Sequence, residues 1–140
     1  MNYSRSRRLG QHFLKNKEKL RKIADYLEIE KGDTIVEIGP GHGELTELLA
    51  SKLLAFRIIA VEKDAELARL LKEKFSTRKK IEIIEGDALK ILPEITKSYK
   101  LKAKSYKIVG NIPYYITGKL LRTIGELKKK PKIAVFTVQK

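Results

Sequence analysis

Three glycines at alternating positions follow a short apolar run and mark the first place where this chain can do chemistry. Gly39, Gly41 and Gly43 stand in the sequence EIGPGHGELT, directly after residues 34–36. Glycines allow a sharp turn and close approach of a ligand, and a helix that begins there directs free N–H groups at it. The spacing differs from the G-x-G-x-x-G of dinucleotide sites. Glu37 adds a carboxylate that repels phosphate, so we expect a sulfonium or ammonium ligand rather than NAD; a purely structural turn is the alternative.

Acidic residues also close the next two predicted strands. Glu62 follows the β-rich run 57–61, about 20 residues past the glycines, where a carboxylate can bind both ribose hydroxyls. Asp87 follows the run 80–85 and can accept the exocyclic amine of an adenine. Each acid alone is more typical of a solvated strand end. Ligands of open α/β sheets bind outside the carboxyl ends of the strands, so Glu37, Glu62 and Asp87 together predict a site for adenosine with a positive centre.

The sequence GNIPYYIT, after a fourth predicted strand, carries residues that suit a planar amine as substrate. The lone pair of adenine N6 is delocalised into the ring, so hydrogen-bond acceptors must help the amine toward a tetrahedral geometry. The side-chain oxygen of Asn111 and the carbonyl of Ile112, directed outward by the fixed dihedral of Pro113, are two such acceptors. Tyr114 offers a ring face on which the base can stack. The alternative is a turn with an asparagine cap and two core tyrosines.

Six segments, in order along the chain, resemble one family. They are GQHFL (10–14), EIGPGHGELT (37–46), VEKD (61–64), EGDAL (85–89), GNIPYYIT (110–117) and FTVQK (136–140). This set is similar to the small-subunit rRNA adenine N6,N6-dimethyltransferases, the KsgA family. The erythromycin-resistance rRNA methyltransferases share most of these motifs and are the nearest alternative, although Pro40 and the VQK ending favour the dimethyltransferases.

The resemblance implies S-adenosylmethionine as the cofactor and adenine N6 of small-subunit rRNA, free or in a pre-ribosomal particle, as the methyl acceptor. It implies that the target adenine is held by Asn111, Ile112, Pro113 and Tyr114. The cofactor contacts that it implies are Gln11, His12 and Leu14, which close over the cofactor, and Glu37, Gly39, Gly41, Glu62, Asp87, Ala88 and Asn111.

The elements that must position these residues alternate as in an α/β protein. Apolar periodicity predicts helices at about 17–27, 44–53, 65–75 and 118–127, and strands at about 34–36, 57–61, 80–85, 106–110 and 133–138. We expect a doubly wound, mostly parallel sheet of the S-adenosylmethionine-dependent methyltransferase (Rossmann-like) type. Right-handed crossovers give the strand order 3-2-1-4-5, with the site over strands one and four. The lysine-rich stretch 93–105 is predicted as surface of uncertain structure.

We expect the chain to consist of two parts. A basic arm, 1–16, closes over the cofactor site, and a catalytic domain spans 17–140. The resemblance implies that the catalytic domain is incomplete at Lys140, because family members continue with two further strands and a smaller helical domain that contacts RNA. The fifth strand is a nearly continuous apolar run, which suits the interior of a sheet. We expect it to expose an edge through which the chain can self-associate.

The charge of the chain fits a partner with a phosphate backbone. Its 140 residues carry a formal charge of +14, which suits docking on nucleic acid. Enrichment in lysine and glutamate without cysteine is also typical of thermophile proteins, so clusters are more informative than totals. We expect two clusters at the rim of the site, the arm and the stretch from Lys97 to Lys107. The predicted RNA contacts are Arg5, Arg7, Arg8, Lys100, Lys102 and Lys104.

The sequence also excludes several classes of site. It has no cysteine, which excludes disulfides and thiolate metal sites. Its two histidines are too few to predict a metal centre. It shows no signal peptide and no run near the about 20 apolar residues of a membrane span, so we expect a cytoplasmic location. Three functions stay open: an adenine-N6 methyltransferase, a non-catalytic RNA-binding or assembly module, and an oxidoreductase, which the glycine spacing and NIPY disfavour.

Overall fold

Five parallel strands form one sheet in the order β3-β2-β1-β4-β5, in a computed structural model that describes residues 17–52, 57–98, 101 and 105–139. The strands are β1 (Thr34–Ile38), β2 (Arg57–Glu62), β3 (Ile81–Glu85), β4 (Tyr106–Pro113) and β5 (Ile133–Gln139). Every pairing is parallel, so all carboxyl ends meet at one edge of the sheet. The predicted fold class and strand order are confirmed.

Five α-helices lie in the described part of the chain. They are α1 (Lys17–Tyr26), α2 (Glu44–Lys52), α3 (Ala65–Lys74), α4 (Ala88–Lys97) and α5 (Thr117–Glu126), and a 3-10 turn, Tyr114–Ile116, precedes α5. Four of them coincide closely with predicted helices. No helix within the described ranges is long and apolar enough to cross a membrane.

Helix α4 gives a defined structure to the start of the stretch 93–105, which the sequence predicted only as surface of uncertain structure. Pro93 stands inside this helix, and Leu92 and Ile95 are buried on its inner face. Asp87 caps the helix by accepting a hydrogen bond from the Leu89 N–H at 3.0 Å. Burial of two large apolar side chains outweighs the one backbone hydrogen bond that proline removes.

Helices cover both faces of the sheet. Ile35 belongs to an apolar cluster with Leu49 of α2, whereas the adjacent Val36 belongs to a second cluster with Leu92 of α4 and Leu120 of α5. Successive side chains of a strand point to opposite faces, which explains why neighbours in β1 enter different clusters. The apolar side chains of these strands are therefore buried on both faces of the sheet.

Strand β5 lies at one edge of the sheet. In the described part of the chain it pairs with β4 alone. Its Ala134 is exposed, and Val138 is 49% exposed. Among the described residues, the other side of β5 is therefore unpaired, as expected.

A buried ion pair joins β4 to the residue that precedes β1, at the amino-terminal ends of the strands and away from their carboxyl ends. The Lys107 ammonium lies 2.8 Å from Asp33, and the two side chains are 1% and 4% exposed. Lys107 also donates to the Glu28 carbonyl, while Asp33 accepts from the Ser105 hydroxyl and from the Glu30 N–H. Burial raises the pKa of Asp33, but the hydrogen bonds from Lys107, Ser105 and Glu30, with the Lys107 charge, outweigh burial and lower its pKa.

These positions correct the expected place of one basic cluster. Lys107 is buried at the amino-terminal ends of the strands, so the prediction that places it at the rim of the site is wrong. Helix α4 begins near the carboxyl ends of the strands and runs back toward their amino-terminal ends. Lys97, its last residue, therefore does not lie at the expected rim either. The structure gives a reason: residues that precede a parallel strand lie at the edge opposite the ligand. Lys100, Lys102 and Lys104 lie outside the described residues.

We predict that Lys107→Met lowers the free energy of unfolding at pH 7 by about 3–5 kcal/mol, because the buried Asp33 carboxylate loses its countercharge. The control is Lys52→Met, which breaks the exposed pair with Asp25 (3.1 Å) and should cost about 1 kcal/mol or less. Urea unfolding followed by circular dichroism measures both changes.

The same pair predicts an acid dependence. A carboxyl whose folded pKa is depressed contributes stability that is present above its ordinary pKa, 3.8 for Asp33, and is lost as the pH falls through the lower folded value. Unfolding measured from pH 6 to pH 2, which brackets that window, should show a smaller acid loss in Lys107→Met than in Lys52→Met. Identical acid profiles of the two variants would contradict this role of Asp33.

Candidate functional site

The glycine turn joins the carboxyl end of β1 to the start of α2. The φ angles are +66° at Gly39, +62° at Gly41 and +88° at Gly43, a region that L side chains rarely adopt. Packing restricts Gly43 further, because a Cβ there would lie 3.0 Å from the ring of Phe75. A Cβ at Gly41 would meet no atom within 4 Å, so the turn leaves open space beside that residue.

Glu62 and Lys74 hold this turn from neighbouring elements. Oε1 of Glu62 accepts a hydrogen bond from the Gly41 N–H at 3.1 Å, and Oε2 accepts from the Asp64 N–H at 2.9 Å. The Lys74 ammonium donates to the carbonyl of His42 at 3.0 Å. Glu62, which is 7% exposed, therefore lies directly beside the turn.

Glu37 lies within β1, beneath the turn. It is 2% exposed, and its Oε1 accepts a hydrogen bond from the Thr46 hydroxyl of α2 at 2.5 Å. Burial raises the pKa of Glu37 to about 7; the Thr46 hydroxyl opposes this rise, and the charges of Glu44 and Glu62 reinforce it. Oε2 of Glu44 is also buried and accepts no hydrogen bond among the described residues. The charges of Glu44 and Glu62, with Glu37 as an acid that can ionise beside them, create a negative potential that favours a cation over a phosphate.

Asp87 and Ala88 lie at the carboxyl end of β3, one strand beyond Glu62. Asp87 is the N-cap of α4 and Ala88 is its first residue. β3 ends at Glu85, which is in register with Glu62 of β2. The capping bond fixes the Asp87 side chain at the edge of the sheet where the glycine turn lies.

Asn111, Ile112 and Pro113 are the last residues of β4 rather than a turn. Oδ1 of the half-buried Asn111 accepts a hydrogen bond from the Thr137 hydroxyl at 2.7 Å. A Cβ on Gly39 would lie 3.5 Å from the backbone carbonyl oxygen of Asn111. The glycine turn and the end of β4 therefore come together across the β1–β4 pairing.

Two exposed tyrosines follow the strand. Tyr114 is 62% and Tyr115 is 72% exposed, and their rings meet edge to face with centroids 6.0 Å apart. The alternative of two core tyrosines is therefore wrong. An exposed aromatic ring beside hydrogen-bond acceptors can stack on a flat heterocycle such as a nucleobase.

The described part of the site thus gathers five predicted residues at one place and leaves others outside it. Glu37, Gly39, Gly41, Glu62 and Asn111 surround the β1–β4 junction, and Asp87 with Ala88 lies along the same edge. The predicted contacts that lie outside the described residues are Gln11, His12, Leu14, Arg5, Arg7, Arg8, Lys100, Lys102 and Lys104. Within the described ranges no group of three or more histidines and acids is placed to hold a metal ion.

Sequence reasoning missed three residues that hold the site: Thr46, Lys74 and Thr137. Each contacts a motif residue from a different element of the fold. Thr46 and Thr137 lie within the quoted segments 37–46 and 136–140, but neither segment indicates which group the hydroxyl contacts. Only the strand register or the helix packing could have identified them.

Comparisons with known proteins identify the family and the fold. The model of the family "Ribosomal RNA adenine dimethylase" matches residues 2–140. Ribosomal RNA small subunit methyltransferase A of Dehalococcoides mccartyi is 42% identical over 132 residues, which cover 94% of this chain and 44% of that relative. The chain therefore spans about half the length, or slightly less, of the curated relatives it matches.

Two solved structures share the fold closely. The 23S rRNA methyltransferase ErmE has a TM-score of 0.70 at 28% identity, over 89% of this chain and 47% of that one. A dimethyladenosine transferase from Plasmodium falciparum also has a TM-score of 0.70 at 28% identity, over 90% of this chain and 42% of that one. The two structures thus resemble the chain to the same degree.

Proposed function

Because the chain belongs to the ribosomal RNA adenine dimethylase family, we propose that it transfers methyl groups from S-adenosylmethionine to adenine N6 of small-subunit rRNA in the cytoplasm. The observation that carries the proposal is the meeting of the glycine turn with Asn111 at the β1–β4 junction. A methyl donor held at the turn is then adjacent to an amine held at Asn111. Positioning of this kind is a large part of catalysis in group transfer.

S-adenosylmethionine fits the charge and the space at the turn. Its sulfonium is a cation, which the carboxylates of Glu37, Glu44 and Glu62 favour, and the open space beside Gly41 admits it. When bound, it supplies an electrophilic methyl group. The proposed contacts are Glu62 with the ribose, Gly39 and Gly41 with the methionine part, Asp87 and Ala88 with the adenine, and Gln11, His12 and Leu14 as a cover.

The end of β4 provides the groups that the methyl acceptor requires. Oδ1 of Asn111 and the carbonyl of Ile112 accept the hydrogens of the amine, which favours a tetrahedral nitrogen without a strong general base. Pro113 fixes the backbone at φ −62°, and Tyr114 presents an exposed ring for stacking of the flipped-out adenine. The proposed RNA contacts are Arg5, Arg7, Arg8, Lys100, Lys102 and Lys104.

A large-subunit rRNA substrate is the second candidate. The observation that favours it is the similarity to the ErmE structure, which equals the similarity to the dimethyladenosine transferase. The cofactor and amine contacts proposed above serve both substrates equally. Curated relatives carry the small-subunit name, which is why the small subunit is preferred.

We predict that the chain binds S-adenosylmethionine, and that Glu62→Ala weakens binding by about 1–3 kcal/mol through loss of charged hydrogen bonds to the ribose. The control is Glu66→Ala: Glu66 is an exposed acid on α3, so this variant removes the same charge and should leave the dissociation constant unchanged. Titration calorimetry measures both, and circular dichroism checks that the fold survives in each variant. Equal affinity of the two variants would remove Glu62 from the site, and preferential binding of NAD would favour the oxidoreductase.

Asn111→Ala should abolish methyl transfer, because the side-chain oxygen serves the amine. It should leave the affinity for S-adenosylmethionine near that of the wild type, because the Asn111 backbone carbonyl beside Gly39 is retained. Transfer of labelled methyl groups is measured on isolated small and large ribosomal subunits. The assay uses this chain and a version extended to the length of its relatives. Normal turnover of Asn111→Ala would refute the role of Asn111; methylation of the large subunit alone would support the second candidate; inactivity of both versions would support a non-catalytic module.

We further propose that the chain self-associates through the free edge of β5, because exposed strand edges pair with other chains. Sedimentation should show a molecular mass that rises with concentration. Ala134→Lys places a charge at an exposed position of β5 and should weaken association, whereas Thr123→Lys adds the same charge to α5 as a control. A strictly monomeric chain at all concentrations would contradict the proposal.

A further inference from the structure

We propose that Thr137 is a positioning residue, which orients the side-chain amide of Asn111 so that its oxygen is available to the substrate amine. The inference rests on the proposed methyl transfer and assigns a role to a residue of β5, a strand outside the motif of Asn111. Its basis is one hydrogen bond between neighbouring strands and the chemistry of an amide.

The two residues face each other in the sheet. Asn111 of β4 is in register with Thr137 of β5, and the Thr137 hydroxyl donates to Oδ1 of Asn111 at 2.7 Å. Both side chains are half-buried. The contact therefore lies at the edge of the site, where Asn111 retains access to a ligand.

An asparagine amide needs such a partner to act as an acceptor. Its oxygen accepts and its nitrogen donates, and the two groups have nearly the same shape. Rotation by half a turn would present N–H groups to the hydrogens of the substrate amine, which is a repulsive arrangement. Oδ1 has two lone pairs, so it can accept from Thr137 with one and from the substrate amine with the other.

The hydroxyl is not required for strand pairing. The backbone ladder already joins β4 to β5 over seven residue pairs, from Lys107–Ile133 to Pro113–Gln139. Valine keeps the β-branched shape that suits a strand and removes only the hydroxyl. We therefore expect the loss of this group to change the Asn111 side chain and not the fold.

The first test measures the motion of the Asn111 amide in this chain. Side-chain amide signals in a 15N spectrum come only from Asn2, Asn16, Asn111, Gln11 and Gln139, so Asn111→Asp identifies the Asn111 signal by its loss. Thr137→Val should lower the order parameter of that amide below about 0.6, the range of flexible groups. The wild type, Thr137→Ser and the control Thr123→Val, whose hydroxyl bonds within α5, should keep it higher. An unchanged order parameter in Thr137→Val would overturn the proposal, as would evidence that Thr137 accepts from the Asn111 nitrogen.

The second test measures turnover in the version extended to the relatives' length. Thr137→Val should lower kcat by about 3- to 10-fold, the effect of one hydrogen bond, with KM for S-adenosylmethionine and for RNA unchanged. Thr137→Ser should restore most of the rate, and Thr123→Val should match the wild type. A mobile amide with unchanged kcat would overturn the positioning role. An inactive wild type would instead refute the proposed function, while the amide measurement still decides whether Thr137 holds Asn111.

Discussion

The close approach of β1 and β4 is the constraint on which the site depends. Gly110 is in register with Ile38, and a Cβ on Gly110 would lie 2.9 Å from the Ile38 carbonyl oxygen, closer than real contacts allow. Only glycine therefore lets the two strands pair here without a shift of one backbone. Gly39 follows Ile38 and Asn111 follows Gly110. The same approach therefore sets the distance between the glycine turn and Asn111. A larger residue at 110 would separate two halves of one site.

The positive net charge of the chain and the negative charge around the glycine turn act over different distances and do not cancel each other. The chain as a whole carries +14, yet Glu44 and Glu62 place negative charge around the turn, beside the ionisable Glu37. Salt screens exposed charges over about 10 Å at 0.1 M, whereas buried carboxylates act at contact distance with little screening. The exposed lysines and arginines can therefore attract a phosphate backbone while the turn still favours a cation. A bound cation also stabilises the charged form of Glu37, so burial of this acid couples its ionisation to occupancy of the turn.

The sequence predicted the strands and their order better than it predicted the side-chain contacts between them. Apolar periodicity and the glycine-rich turns identify every strand, and the handedness of crossovers then gives the order of the sheet. Helix α4 was missed because Pro93 and the nearby lysines indicate a surface loop, while the burial of Leu92 and Ile95 depends on a sheet face that local sequence does not show. Lys107 was misassigned because a lysine is normally exposed, and its partner Asp33 is distant in the sequence. Acids at strand ends were found, because their positions follow from topology alone.

Two threonines show why the remaining site residues required a structure. Thr46 donates to Glu37 and Thr137 donates to Asn111, and in both cases the acceptor lies on a neighbouring element of the fold. The chemical results differ, because Glu37 can ionise and Asn111 cannot. A hydroxyl that donates to a carboxyl stabilises its charged form and so opposes the rise in the pKa of Glu37. A hydroxyl that donates to a neutral amide changes no charge, so its effect is confined to the direction in which the amide points. The first contact therefore adjusts the electrostatics beneath the glycine turn, and the second adjusts the orientation of the Asn111 amide at the end of β4.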